Sequence, residues 1–397
     1  MSATTDGKLF SYLHPLSLPR IDRPAVINGV LHGICVEAPG VNRSYQRQAP
    51  IFHDDPDGAG LFPRGVASMP VRYPPAFIAS IRDATLVGYR TILTEEGHFF
   101  NDDAPVDQAA VDRYLAKMAQ LDKFPNEDTG LRIEGDQGAF RLERTGRPDR
   151  HIEGTTIVLC STEPANYGSF LFRILPKLAA LQEADLDAKV MVYANAATYR
   201  QLLSLAGIPQ SRLLLHDTRI VYKLDHAVVP SLRNPTAFLD EASVAFYAGL
   251  RKRFGSERGT RRIYVSRLGV SKTGRVMLNE AEVEAKLEAL GFEIVRPQHL
   301  TAEEQIKAFS SAQFVIGPSG AAMFNAVFCH PGTTLIDIES EPHWIHAHAC
   351  LFTSCGLRWG LFEGKVVDPS PDLVHKQFHV NASALAERAQ KLLSEME

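Results

Sequence analysis

Arginines, a glycine-rich turn and an acidic residue recur at the ends of apolar runs in the second half of this chain. Arg267 follows Arg262–Ser266, Arg296 follows Phe292–Val295, Gly317-Pro318-Ser319-Gly320 closes Phe314–Gly317, and Glu339 ends Thr334–Glu339. A guanidinium is a planar fork suited to a diphosphate, and Lys272 and Arg275 add positive charge to the loop after Arg267. The turn from Gly317 to Gly320 lets backbone approach a ligand closely. A helix from Ala321 then offers free N–H groups and its positive dipole end to an anion. Glu339 stands where an acid accepts hydrogen bonds from a ribose diol in dinucleotide folds. The turn lacks the GxxxxGK[ST] pattern, which disfavours a P-loop kinase or ATPase. In the first half, Glu163 follows the run Thr155–Cys160 and is the candidate general base.

Such residues act together only if a sheet aligns them. From Arg262 the pattern alternates strand and helix. Strands are expected at Arg262–Ser266, Phe292–Val295, Phe314–Gly317 and Thr334–Glu339. Helices are expected after Asn279 and Thr301, each with Glu three residues on, and over Ala321–Phe328. Short βαβ connections imply a parallel sheet, whose ligands bind beyond the carboxyl strand ends. A similar rhythm starts at Thr155, with strands Thr155–Cys160 and Lys189–Tyr193, a helix near Phe170–Leu178 interrupted by Pro176, and another over Tyr199–Leu205.

The expected organisation is α/β. Residues 1–150 form an irregular region of short strands and loops, 151–254 one α/β domain, 260–380 a second, and 381–397 a C-terminal helix. Gly255–Gly259 is the candidate linker. At 397 residues, 45% hydrophobic and 22% charged, the chain suits two globular domains. Its 42 Lys and Arg are interspersed among 46 acids, with a net charge of −4, which argues against nucleic acid. Five scattered cysteines suit reduced thiols. No apolar run reaches the roughly 18 residues of a bilayer span. A cytoplasmic location is expected, and a peripheral membrane contact is compatible with it.

The order Arg262-Ile263-Tyr264-Val265-Ser266-Arg267, Arg275, Asn279-Glu280, Gln305 and Gly317 to Asn325 resembles glycosyltransferase family 61. Upstream, Asn166-Tyr167-Gly168-Ser169-Phe170 and Leu175-Pro176-Lys177-Leu178 resemble that family's N-Y-G-H-F…L-P-R-L segment. The resemblance spans about Thr155 to His348. It implies a GT-B-like architecture of two Rossmann-like domains facing a cleft, and inverting transfer to a glycan or polysaccharide acceptor. The nucleotide-sugar, UDP-linked, is a co-substrate, with no cofactor and no metal. The implied donor-binding residues are Arg267, Lys272, Arg275, Asn279, Glu280, Gly317, Pro318, Ser319, Gly320, Ala321, Asn325 and Glu339. Asn166, Tyr167, Arg173, His343 and Trp344 are expected to line the acceptor side, with Glu163 and Ser169 catalytic. The chain departs from the family at Ser169 and Ser319, where His is usual, and at Arg173, often acidic there.

Two other function classes fit some of the same residues. The lost histidines suit a non-catalytic nucleotide-sugar-binding protein. A metal-dependent hydrolase would draw on His343, His346 and His348, although the latter two, two apart, do not share a helix face. Asp55-x-Asp57 and Asp185-x-Asp187 match a metal-binding DxD formally, and two-residue matches arise often by chance. The sugar, acceptor and oligomeric state are not written in these patterns.

Overall fold

The computed structural model describes residues 9–23, 26, 32–37, 43–60, 69–103, 131–134, 139–142, 148–181, 188–270, 275–341, 345–367 and 376–396. Asp185-x-Asp187, Lys272, His343 and Trp344 lie outside the described residues. The chain divides into two compact units, Met1–Ser44 with Arg72–Pro235, and Tyr45–Val71 with Thr236–Glu397. Each unit is therefore built from two separate stretches. The helix Glu241–Phe254, expected at the end of the first α/β domain, clusters with the second unit.

In the first unit, Leu213–Leu215, Lys189–Val192, Arg150–Val158 and Tyr222–Pro230 lie side by side in that order, all parallel. The chain steps outward from Arg150–Val158 and then returns to its other flank with Tyr222–Pro230. That reversal makes the carboxyl ends of these two strands a topological switch point, where α/β sheets open a crevice. The long strand Phe77–Val87 continues the sheet antiparallel to Tyr222–Pro230 and carries Thr91–Leu93 and His98–Phe100 beyond it. The irregular N-terminal region thus supplies an antiparallel extension of a parallel core. Ile81, Leu86, Ile92, Leu224 and Ala227 belong to the apolar cluster beneath.

The stretch Tyr167–Ala180 is helical in three successive forms. Tyr167–Ser169 is α-helical, Phe170–Ile174 is a π-turn, and Leu175–Ala180 is 3₁₀. Pro176 has no N–H to give to the preceding turn, and the change of pitch before it accommodates that loss. Gly207, at φ 95°, ends the helix Ala197–Leu205 in the left-handed conformation that glycine adopts without a Cβ clash.

The second unit holds a sheet in the order Glu293–Val295, Arg261–Val265, Ala312–Pro318, Thr334–Glu339, Arg358–Glu363 and His53–Asp54, parallel throughout. Its reversal falls between Arg261–Val265 and Ala312–Pro318. The edge strand His53–Asp54 comes from the segment Tyr45–Val71, and Arg388 locks it with hydrogen bonds of 2.6 and 2.7 Å to Asp54. The capping box of Thr301 and Glu304 is present. The C-terminal helix Ala382–Ser394 buries Leu385, Ala389, Leu392 and Leu393 in the same core as Val283 and Leu287, so it completes this unit.

Candidate functional site

The candidate donor site sits at the reversal of the second sheet. Arg267 leaves the end of Arg261–Val265, and its backbone N–H donates to Glu280 Oε1 at 2.7 Å. Glu280 opens the helix Glu280–Glu288 and also accepts from Tyr264 Oη at 3.2 Å. It is 4% exposed, so its part is to hold the Arg267 loop rather than to meet a ligand. Burial raises its pKa, offset in part by the bonds from Arg267 and Tyr264.

Both guanidinia of this loop reach the glycine-rich turn. Arg267 Nη1 donates to the Ser319 carbonyl at 3.0 Å, and Arg275 Nη2 donates to the same oxygen. Two cations converging on one neutral acceptor repel each other. Burial, then the neighbouring Arg275, lowers the Arg267 pKa to about 10, against the pull of Glu280, Glu339 and Glu341. An anion placed there relieves that repulsion. A Cβ on Gly320 would run into Arg267 Nη1 and meet Arg275 Nη2 at 3.0 Å, so glycine is needed there for the arginines to approach. Gly317 is glycine for a different reason, since a Cβ would meet Met323 Sδ at 2.7 Å and Val265 Cβ at 3.0 Å. Beside the arginines lies a cavity of about 260 Å³ lined by Leu268, Val270, Met277, Glu280, Pro318 and Phe378, among others. That volume is near the lower end for small-molecule sites.

Several sequence expectations change here. Ala321–Phe328 is a 3₁₀ helix whose Gly320 cap makes no side-chain bond. Its orphan N–H groups add less than an α-helix would, and the arginines dominate the positive charge. Asn279 does not cap through its side chain; its amide bridges to the Val380 backbone at 2.8 and 3.1 Å and ties down the chain before the last helix. Asn325 is fully buried and donates to Gln305 Oε1 at 2.9 Å, an internal brace. Glu339 is also fully buried; its Oε1 accepts the N–H groups of Ser340 and Glu341 and lies 3.6 Å from Arg275 Nη1, which leaves it closed to a ribose. Burial, then the Asp337 charge, raises its pKa.

His346 and His348 do not converge. His346 is exposed and pairs with Arg47 at 2.7 Å, whereas His348 is buried against Ser319 Oγ at 2.8 Å and Asp337 Oδ2 at 2.9 Å. Asp55 accepts the N–H groups of Ala59 and Gly60, and Asp57 accepts from Asn381, so that DxD is occupied in a turn.

The first unit brings three expected residues together. Glu163 follows Arg150–Val158, at the switch point, in the left-handed conformation at φ 50°. Its Oε2 accepts from Ser169 Oγ at 2.7 Å and from Arg173 Nη1 at 2.8 Å. Its side chain is half exposed. Asn166 caps the turn by accepting from Ser169 N–H, and Tyr167 stacks on Tyr199 at 5.9 Å. Directly below is a cluster that sequence reading missed. Fully buried Lys177 reaches Asp102 Oδ2 at 2.8 Å and the Cys160 carbonyl at 2.6 Å, while Arg90 and Ser161 also bond Asp102. Burial alone would raise the Asp102 pKa; Lys177 and Arg90 outweigh it and hold it near 2. A Lys in the middle of an apolar Leu-Pro-Lys-Leu segment was the one sequence signal for it.

Residues 167–336 match the family described as Glycosyltransferase 61. Over those residues the chain is similar to glycosyltransferase family 61. The match begins at the helical turn bearing Ser169 and ends inside the strand Thr334–Glu339. It therefore takes in Arg173, Arg267, Arg275 and the Gly317–Gly320 turn, and the chemistry of the family is glycosyl transfer. The chain has no match among curated proteins. Among the described residues, no helix is long and apolar enough to cross a membrane.

Proposed function

We propose that the family 61 segment binds a nucleotide-sugar through Arg267 and Arg275 and transfers the sugar with inversion to a glycan acceptor, in a GT-B division of labour between the units. The observation that carries this is the pair of guanidinia sharing the Ser319 carbonyl at the sheet reversal. Leaving-group charge in glycosyl transfer collects on the diphosphate, and two fixed cations stabilise it without a metal. The adjoining cavity, apolar apart from Arg267, Arg275 and Glu280, suits a base, with uridine as the expected one. On the first unit, Glu163 is the proposed base. Arg173 and Ser169 fix its Oε2, while Oε1 makes no hydrogen bond among the described residues and is open to an acceptor hydroxyl. Thermal-shift and calorimetric titration with UDP, GDP and CMP tests the donor half: selective stabilisation by UDP is expected. Equal indifference to all three nucleotides would remove the proposal. Replacement of the usual His by Ser169 and Ser319 favours a second reading, donor binding without turnover, which saturable UDP-sugar binding with no release of UDP would establish.

A further inference from the structure

Every residue of the strand Thr334–Glu339 is buried, yet two of its six are acids. Asp337 and Glu339 are 0% exposed, and so is His348 from the helix Ile345–Ser354. Burying an ionised carboxylate is unfavourable unless a cation or several donors compensate it. Ligand-type atoms of these three residues all lie within 4.8 Å of one another. The internal hydrogen bonds do not satisfy them. His348 Nδ1 faces both Asp337 Oδ2 and Ser319 Oγ, and its one proton cannot point along both directions. Asp337 Oδ1, Glu339 Oε2 and His348 Nε2 have no hydrogen-bond partner among the described residues.

Charge leads to the same place. Glu280, Glu339 and Glu341, each buried, pull on the Arg267 guanidinium, whereas Asp337 stands beside Glu339 and His348. A divalent ion between Asp337 and Glu339 compensates two buried carboxylates at once.

We propose that Asp337, Glu339 and His348 bind a divalent transition-metal cation of the zinc or manganese class beneath the Gly317–Gly320 turn. One imidazole and two carboxylates suit such borderline ions better than the all-oxygen sets of magnesium or calcium. Because all three ligands are sealed from solvent, the ion braces the strand end and the Ser319 turn and does not touch substrate. The inference stands apart from sugar transfer, since a protein of any activity with this cluster would hold the ion.

Its test uses full-length protein stripped with EDTA, dialysed, and kept free of nucleotide. Titration with zinc and manganese, followed by calorimetry and melting temperature, should give one equivalent bound and a rise in melting temperature. Cobalt substitution should give visible ligand-field bands of an imidazole–carboxylate site in the wild-type chain, which requires no variant. His348→Ala and Glu339→Gln, checked for native circular dichroism, should each weaken binding by at least about tenfold. No stoichiometric binding to the wild type, or cobalt spectra lacking nitrogen ligation, overturns the proposal. So does binding that is unchanged in a folded His348→Ala. Nucleotide affinity is read in a separate titration, so either proposal can fail alone.

Discussion

Gly320 and Glu163 show how single residues set up chemistry in different ways. Gly320 was legible in the sequence because a glycine between a strand and a helix is a strong punctuation mark. Its purpose was not legible, since the arginines that need the space lie 53 and 45 positions upstream. Gly320→Ala pushes against the flexible end of Arg267, so the fold should survive while the guanidinium is displaced. We expect UDP affinity to fall by about tenfold, the weight of one charge-assisted contact, with the melting curve of ligand-free protein nearly unchanged. Unaltered affinity would separate Arg267 from the donor site. Glu163 is held in the left-handed region at a cost of about 1 kcal/mol for a residue with a side chain. Such strain persists where neighbours over-determine it, here Ser169 and Arg173. Glu163→Gln should lower kcat by roughly 10²- to 10⁴-fold with KM little changed, as loss of a general base does. A KM effect alone would make Glu163 an acceptor-binding group. The pairing of Asp337 with His348 was illegible for a simpler reason: an acid in a fully buried strand has meaning only once its partner, eleven residues on and on another element, is known.

At the scale of elements, the alternation from Arg261 to Glu339 could be read because its strands are short apolar runs closed by glycine or by capping boxes. The strand Arg358–Glu363 and the edge strand His53–Asp54 escaped notice. The first carries charge at both ends, and the second is two residues long and pairs with a strand some 300 positions away, beyond any local pattern. The three-form helix Tyr167–Ala180 was seen only as an interruption at Pro176. What holds it is Lys177, whose ammonium crosses to Asp102 and to the Cys160 carbonyl, and so fixes the loop that carries Glu163. Lys177→Met removes one partner of a buried pair while keeping the apolar stem. Arg90 still compensates Asp102, so the expected loss is at the lower end for such pairs, about 3 kcal/mol. Urea unfolding of the variant checks it. A loss below about 0.5 kcal/mol would show the pair to be dispensable, as exposed pairs are.

For the whole molecule, the division into two units was the least legible feature, because each unit closes on a segment remote from its main stretch. That division has a consequence for pH. In the first unit, burial lowers the His216 pKa to about 4, only slightly countered by Asp217, and burial with Arg82 lowers that of His226 to about 4. The unfolded chain therefore binds protons that the folded unit refuses between about pH 6.5 and 4. Stability is full above the unfolded value and is lost as pH falls through that window, on the order of 3 kcal/mol for His216 alone. In the second unit, Glu280 has the opposite sense, since its folded pKa is raised by burial. A carboxyl that holds its proton more tightly when folded stabilises the unit at low pH and loses that contribution as pH rises. His346, lowered by burial and Arg47, acts in the other sense. Acidification from pH 7 to 5 should thus lower the melting of the first unit and spare the second, splitting one thermal transition into two. Calorimetry across that range reads the split directly, and His216→Asn should roughly halve the pH dependence of the lower transition, since His226 keeps its share. A single transition that moves intact with pH would mean that the two units unfold as one.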